Sequence, residues 1–300
     1  MAQPAQLNPL LPTKTIHQFP LPTWIENLAI RSNGTMLVTL LTTPELYLID
    51  PQKPSPSNAT LIAKLPDVLG LTGIIEVQPD IFHIAGGNFS LSSRVLQDLG
   101  IADLSAVAFP NGFELLSSDE GNILIADSEI GAVWKLGVGD GKHEIAVKVE
   151  EMEPPAPPGM QIGINGIKIR DGYLYWTNTG KKTFCRVRIE ENAEAVGDVE
   201  VLESDTLVDD FVFDDKGNAG LAQNVTNVIG VRRAAGGVVV AAGAGDELTV
   251  AGGTSCQFGR TDGDKHVLYV ATSGGMAAPI NGTVIEGGKV VGVDTSSFKL

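Results

Sequence analysis

Six polar residues, Glu26, Thr72, Asn111, Asn165, Asp209 and Ser255, recur along the chain at intervals of 46, 39, 54, 44 and 46 residues. Each opens or immediately precedes a short apolar segment: IENLAI, TGIIEV, NGFELL, NGIKIR, DDFVFD and CQFGRT. Two are amides and two are hydroxyls, groups that donate hydrogen bonds at any ordinary pH. Donors of that kind, brought together, stabilise charge developing on a carbonyl oxygen. Asn111, Asn165, Ser255 and Gln257 are the candidate catalytic donors. The carboxylates Glu26 and Asp209 suit a different chemistry, the activation of water or direct attack.

A second set follows from the strands that come after these segments. Their ends carry Thr42, Asn88, Asp127, Asn178, Gln223 and Thr272. With Thr72, they are candidate substrate contacts. Trp24, two residues before Glu26, is a candidate stacking wall for an apolar substrate. The loop from Glu151 to Gly163, EMEPPAPPGMQIG, joins four prolines to Met152 and Met160. Proline stiffens it and methionine gives an adaptable apolar surface, so it reads as a partial lid.

Other templates are missing. No Gly-x-Ser-x-Gly elbow is present. His143-Glu144 lacks the second histidine of a zincin. The four histidines are scattered without zinc spacing. GVGDG and GAGDE open no helical pattern and read as turns.

The elements that must position these residues are strands. GTMLVTLL, PDIFHIAG, GNILIADS, DGYLYWTNT, GNAGLAQN and HVLYVATS each follow a Gly or Asp turn and end in small polar residues. No helical 3.6-residue pattern of useful length appears. Short strands repeating about every 46 residues indicate a β-propeller. The expectation is an all-β protein, one domain over residues 1–300, with six four-stranded blades. Residues 1–13 are expected to be a flexible leader. Lys14–Phe19 should pair with strands around Thr283–Val293 and close the ring. The innermost strands would then line a channel, with the six polar residues at its mouth. SLSSRVLQDLGIADL, residues 90–104, breaks the pattern and reads as a loop with a short helical turn.

Composition narrows the partners. The net charge of -15, from 36 acidic and 21 basic residues, argues against nucleic acid, whose phosphates need clustered Lys and Arg. It also argues against an anionic membrane surface. No window approaches the apolar length of a membrane helix. The expected partners are small apolar molecules. Cys185 and Cys256 are too few for a disulfide framework and read as buried thiols. Five Asn-x-Ser/Thr sequons, at Asn33, Asn58, Asn88, Asn224 and Asn281, point to the secretory pathway. An equal alternative is that turns favour Asn and strands favour Thr, which leaves a cytoplasmic location open.

WIENLAI, NGF, INGIKI and DDFVFDDKG resemble the regucalcin, gluconolactonase and diisopropylfluorophosphatase family, the senescence-marker-protein-like six-bladed propellers. In that family a Glu, two Asn and an Asp bind a divalent metal, usually calcium. The resemblance implies Glu26, Asn111, Asn165 and Asp209 as metal ligands, with the oxygen chemistry that calcium takes. This chain has Ile-Glu-Asn where the family favours Glu-Gly-Pro, and Asp-Asp-Phe where it favours Asp-Gly. A narrower resemblance rests on LPTWIENLAIRSNG, LLTTPELYLIDP, the GNFS after HIAG, and TSCQFGRTDGDKHVLYVATSGG. These are similar to a fungal branch that includes hetero-Diels–Alderases, which join a polyene terpene to a reactive quinone methide. That resemblance implies a biosynthetic cyclase that works by positioning and hydrogen bonding and needs no cofactor. The alternatives are a calcium-dependent lactonase or esterase and a non-enzymatic ligand-binding propeller.

Overall fold

A computed structural model describes residues 5–7, 9–55, 58–89, 94–95, 106–117 and 121–298. Among the described residues the strands form six sheets, antiparallel except for one parallel edge pair, and no α-helix occurs. The chain divides into two compact units, residues 1–64 with 209–300, and residues 65–208.

The first unit holds three sheets. Ile25–Ile30, Met36–Leu40, Glu45–Ile49 and Ala59–Lys64 form one, in sequence order. Phe211–Phe213, Ala219–Gln223, Val228–Arg232 and Val238–Gly243 form the next. Ala5–Gln6 adds to its edge, parallel to Val238–Gly243. Gly253–Phe258, Val267–Thr272 and Lys289–Asp294 form the third, completed by Thr13–Gln18, which pairs with the C-terminal strand from Thr13↔Val293 to Gln18↔Lys289. The expected pairing of an N-terminal strand with the C-terminal strand is therefore present. Within the expected leader, Leu7 and Leu11 donate N–H bonds to Val240 and Ala241, and Leu11 is buried in the core.

The second unit also holds three sheets. Pro110–Ser117, Asn122–Asp127, Ala132–Gly137 and His143–Val147 form one. Ile164–Arg170, Tyr173–Asn178, Thr183–Ile189 and Ala195–Glu203 form another. Gly70–Gln78, Ile81–Phe89 and Arg94–Val95 are the described strands of the third. Apart from Arg94–Val95, the helical turn expected within residues 90–104 lies outside the described residues.

The middle strands explain the continuous apolar runs in the sequence. Met36–Leu40 and Ala219–Gln223 are buried at every position. A strand covered on both faces needs no polar alternation. The outermost strands expose Leu61, Ile62, Val196 and Val201. Between Arg170 and Tyr173 the hairpin turns on Asp171 (φ 53°) and Gly172 (φ 77°). Both lie in the left-handed region that a two-residue type I′ turn requires.

Candidate active site

The recurring polar residue sits on a β-bulge. In the sheet of Ile25–Ile30, Ile25 faces Leu40 and Asn27 faces Thr39, so Glu26 is the extra residue. Register breaks of the same kind fall at Thr72–Gly73, Asn111–Gly112 and Asn165–Gly166. Asp209 and Asp210 make the equivalent step before Phe211, with Asp209 N–H on the Ala222 carbonyl and Ala222 N–H on that of Asp210. A bulge re-aims one side chain and sharpens the local twist. The sixth case corrects the sequence reading. Gly253 faces Thr272 and Ser255 faces Ala271, so Thr254 is the extra residue and Ser255 is its neighbour.

The position after the bulged residue separates the units. In the second unit it is Gly73, Gly112 and Gly166. A Cβ on Gly112 would overlap the Asn165 carbonyl oxygen and crowd Gly166 Cα; one on Gly73 would overlap the Asn111 carbonyl oxygen. The inner strands thus approach closely enough to exclude a side chain. In the first unit the same position holds Asn27, Asp210 and Ser255, all buried. Ser255 Oγ lies 2.7 Å from Asp210 Oδ2 and 3.0 Å from Asn27 Oδ1. Asn27 Oδ1 also accepts the Leu28 N–H and Asp210 Oδ1 the Phe211 N–H, each at 2.8 Å. Asn27 and Asp210 are the residues that differ from the pattern of the resembled propellers, and both side chains meet on Ser255.

Glu26 and Asp209 lie in this unit, both buried. Trp24 Nε1 donates to Glu26 Oε2 at 2.6 Å, and Asn224 Nδ2 donates to Asp209 Oδ2 at 2.8 Å. The Glu26 pKa is pushed up to about 8, first by burial and then by the neighbouring Asp209 charge, with a smaller push from Asp210. The Trp24 hydrogen bond opposes this. At neutral pH Glu26 is a carboxylic acid, able to donate a hydrogen bond. Sequence reasoning missed this role, along with Asn27, Asp210, Thr254 and Asn224. For Asn27 and Asp210 the signal was a polar residue where the resembled propellers favour glycine.

In the second unit Thr72, Asn111 and Asn165 are buried. Asn165 Nδ2 donates to Thr179 Oγ1 at 2.9 Å, and Thr179 donates to the Val208 carbonyl at 2.9 Å. Among the described residues no hydrogen bond engages the Asn111 side chain. Gln257, in the Gly253–Phe258 strand opposite Tyr269, is half-buried.

Several of the second set are engaged by backbone. Asp127 accepts N–H bonds from Ala108, Phe109, Glu129, Ile130 and the Trp134 indole. Asn178 donates to the Glu151 and Glu153 carbonyls and accepts the Lys181 N–H. Thr272 both donates to and accepts from the Lys289 backbone. Thr42 accepts the Trp24 N–H at 3.2 Å. Asp127, Asn178 and Thr272, expected as ligand contacts, each hold a turn. Gln223 is buried and Asn88 half-buried. The proline-rich loop is also pinned rather than hinged: Asn178 clasps its base, and Met152 is fully buried in the core. Met160 remains exposed.

Two sequons have structural amides. Asn58 is buried, with Nδ2 on the Ile16 carbonyl and Oδ1 2.8 Å from His17 Nδ1, and Asn224 is the partner of Asp209. Neither amide is available to a glycan in the folded chain. Cys185 and Cys256 are buried free thiols, as expected. No helix among the described residues is long and apolar enough to cross a membrane.

For a cation, Glu26 and Asp209 supply carboxylate oxygens, the donors that calcium prefers. One oxygen of each already takes an N–H. Among the described residues no group of three His, Cys, Asp or Glu is arranged to hold a metal.

No protein-family model matches the chain. It is 29% identical to a protein assigned as hetero-Diels-Alderase asR5 in Sarocladium schorii, over 96% of this chain and 84% of that protein. It is also 29% identical to one assigned as a hetero-Diels-Alderase in Phoma sp, over 87% and 86% of the two chains. Among solved structures, regucalcin, a calcium-binding protein from Agrobacterium tumefaciens, aligns with a TM-score of 0.66 at 15% identity. That alignment covers 98% of this chain and 97% of regucalcin. The fold is accordingly that of an all-β propeller.

Proposed function

We propose that this chain is an enzyme of secondary-metabolite biosynthesis, a hetero-Diels–Alderase-type cyclase. The carrying observation is its similarity, over most of both lengths, to two proteins assigned that activity. Counted as blades, the six sheets each present a polar residue at the bulge or the equivalent step, and the substrates are a polyene or terpene alkene and a quinone-methide-type acceptor.

In such a cycloaddition the oxygen-bearing diene and the alkene form one C–C and one C–O bond. No proton leaves and no nucleophile is consumed. Positioning supplies much of the rate, because bound partners in near-attack geometry no longer pay the entropy of encounter. The rest comes from donors to the acceptor's carbonyl oxygen, where negative charge grows. Asn111 offers an amide that nothing else uses, and neutral Glu26 offers an acid O–H. Asn165, held by Thr179, and Gln257 are amides of the same donor kind, and Ser255, whose one O–H lies on Asp210 and Asn27, acts by holding those two side chains. Trp24, fixed by Glu26, offers its ring face to the polyene. Thr72, Asn88 and Gln223 are left as substrate contacts, with Asp127, Asn178 and Thr272 acting through the turns they hold.

One observation favours a second reading, a calcium-dependent lactonase or esterase: two buried carboxylates, Glu26 and Asp209, share one unit. A calcium ion held by them would polarise a substrate carbonyl. The test is product formation from a polyene terpene and a quinone-methide precursor, with and without chelator. Accelerated, stereochemically biased adduct that survives chelation supports the cyclase. No acceleration over the uncatalysed reaction, with chelator-sensitive lactone hydrolysis, overturns it.

A further inference from the structure

The strands that begin at the acidic bulge end at a second concavity. Phe211–Phe213 and Gly253–Phe258 carry Asp209, Asp210 and Ser255 at or before one end, and Phe213 and Phe258 at the other. Four residue steps at strand rise separate Asp209 from Phe213 by about 13 Å. At that far end lies a cavity of about 370 Å³, within the size range of small-molecule sites. All of its lining residues belong to the first unit.

Its walls are apolar and its rim is polar. Phe213, Phe258 and Phe298 line it with Val231 and Leu268, and Gly220 leaves space where any side chain would press on Leu268. The rim is built by local hydrogen bonds. Asp214 accepts the Lys216 and Asn218 N–H groups and the Asn218 amide. Thr295 is tied to the His266 carbonyl through both N–H and Oγ1, and Phe298 N–H closes a turn on Thr295. With these anchors the opening is formed before any ligand arrives, which lowers the entropic cost of binding. Lys216 and Lys265 balance Asp214 and Asp215 at the rim, so the formal charge there is zero and a strongly charged ligand gains little. Aromatic walls favour a flat ring, by edge and offset contacts. Side-chain donors and acceptors at the mouth suit one hydroxyl.

We propose that this cavity is a second ligand site, for a small neutral aromatic molecule of one or two rings carrying a hydroxyl. It does not depend on the cyclase reading. The test is titration of the full chain, labelled with 15N-glycine, with 1-naphthol. Gly220 and Gly259 line the cavity, whereas Gly112 lies beside Asn111. The expected result is saturable shifts at Gly220 and Gly259, with the dissociation constant raised at least tenfold by Phe298→Ala. Phe258→Leu, a milder change to the wall, should raise it severalfold while the melting temperature holds. Static Gly220 and Gly259 signals at saturating 1-naphthol would overturn the proposal. So would unchanged affinity in both variants, or shifts confined to Gly112.

Discussion

The Trp24 indole N–H donates to Glu26 Oε2 at 2.6 Å, joining the candidate stacking wall to the candidate acid. The indole cannot rotate without leaving Glu26 a buried oxygen short of its donor. The carboxyl cannot turn away without freeing the ring. Orientation of the apolar partner and of the acid are thus set by one bond.

Glu26 gives a pH signature. Its pKa is raised to about 8 in the folded chain from 4.5. Between those values the native state binds the extra proton, so its stabilising share is complete below about pH 4.5 and is lost as pH rises towards 8. The melting temperature should fall from pH 6 to pH 9, and Glu26→Gln should flatten that fall. Cycloaddition rate should drop as pH passes about 8 in the native chain and stay level in Glu26→Gln, which keeps near-native activity at pH 7. Rate and melting profiles over that range check both statements.

Asn111→Ala and Asn165→Ala separate donor from scaffold. Each should lower kcat by about a hundredfold, as loss of one oxyanion-type donor does. Asn111 makes no hydrogen bond among the described residues, so its variant should keep full stability. Asn165→Ala also breaks the link to Thr179, at a cost of about 1 kcal/mol. Denaturant midpoints beside turnover will show the difference; full activity in both variants would remove the donor role.

Gly112→Ala should destabilise by at least about 2 kcal/mol, because the added carbon meets backbone that cannot move aside. Gly139→Ala is the matched control. A Cβ there meets nothing, so its stability should change by about 0.5 kcal/mol or less. Urea melts of the pair are sufficient.

Asp127→Ala should cost about 3 kcal/mol, since five N–H donors lose their acceptor. Measured below its melting range, the variant should keep its KM. A raised KM with native stability would restore Asp127 as a substrate contact.

Much of the fold was legible. The inner and middle strands were readable because turn, apolar run and small polar ending repeat together. Ser255 was placed one residue late because a bulge inserts a residue that apolar alternation does not register. That Asp127 and Asn178 also hold turns was not legible, because composition does not say which backbone N–H and carbonyl groups a carboxylate or amide meets. Asn27 and Asp210 were seen only as departures from a family pattern. Their meaning needed the third member, Ser255, more than two hundred residues away from Asn27 in sequence. The packing of the N-terminal residues was not legible because Leu7 and Leu11 are too few to show a period, yet they pack on the Val238–Gly243 strand.

The seam of the last sheet also sets an order of events during synthesis. Thr13–Gln18 waits for Lys289–Asp294, and the Thr254 hydroxyl reaches the Ile25 carbonyl across 229 residues. A chain emerging from the ribosome therefore carries Thr13–Gln18 without its sheet partner until Lys289–Asp294 has been made. Such contacts are slow to form and leave a sticky edge while they wait. Glu26 and Trp24, beside that seam, are held in place only after Lys289–Asp294 has been made. Loss of the C-terminal strand would thus disable the N-terminal half of the site before it touched overall secondary structure.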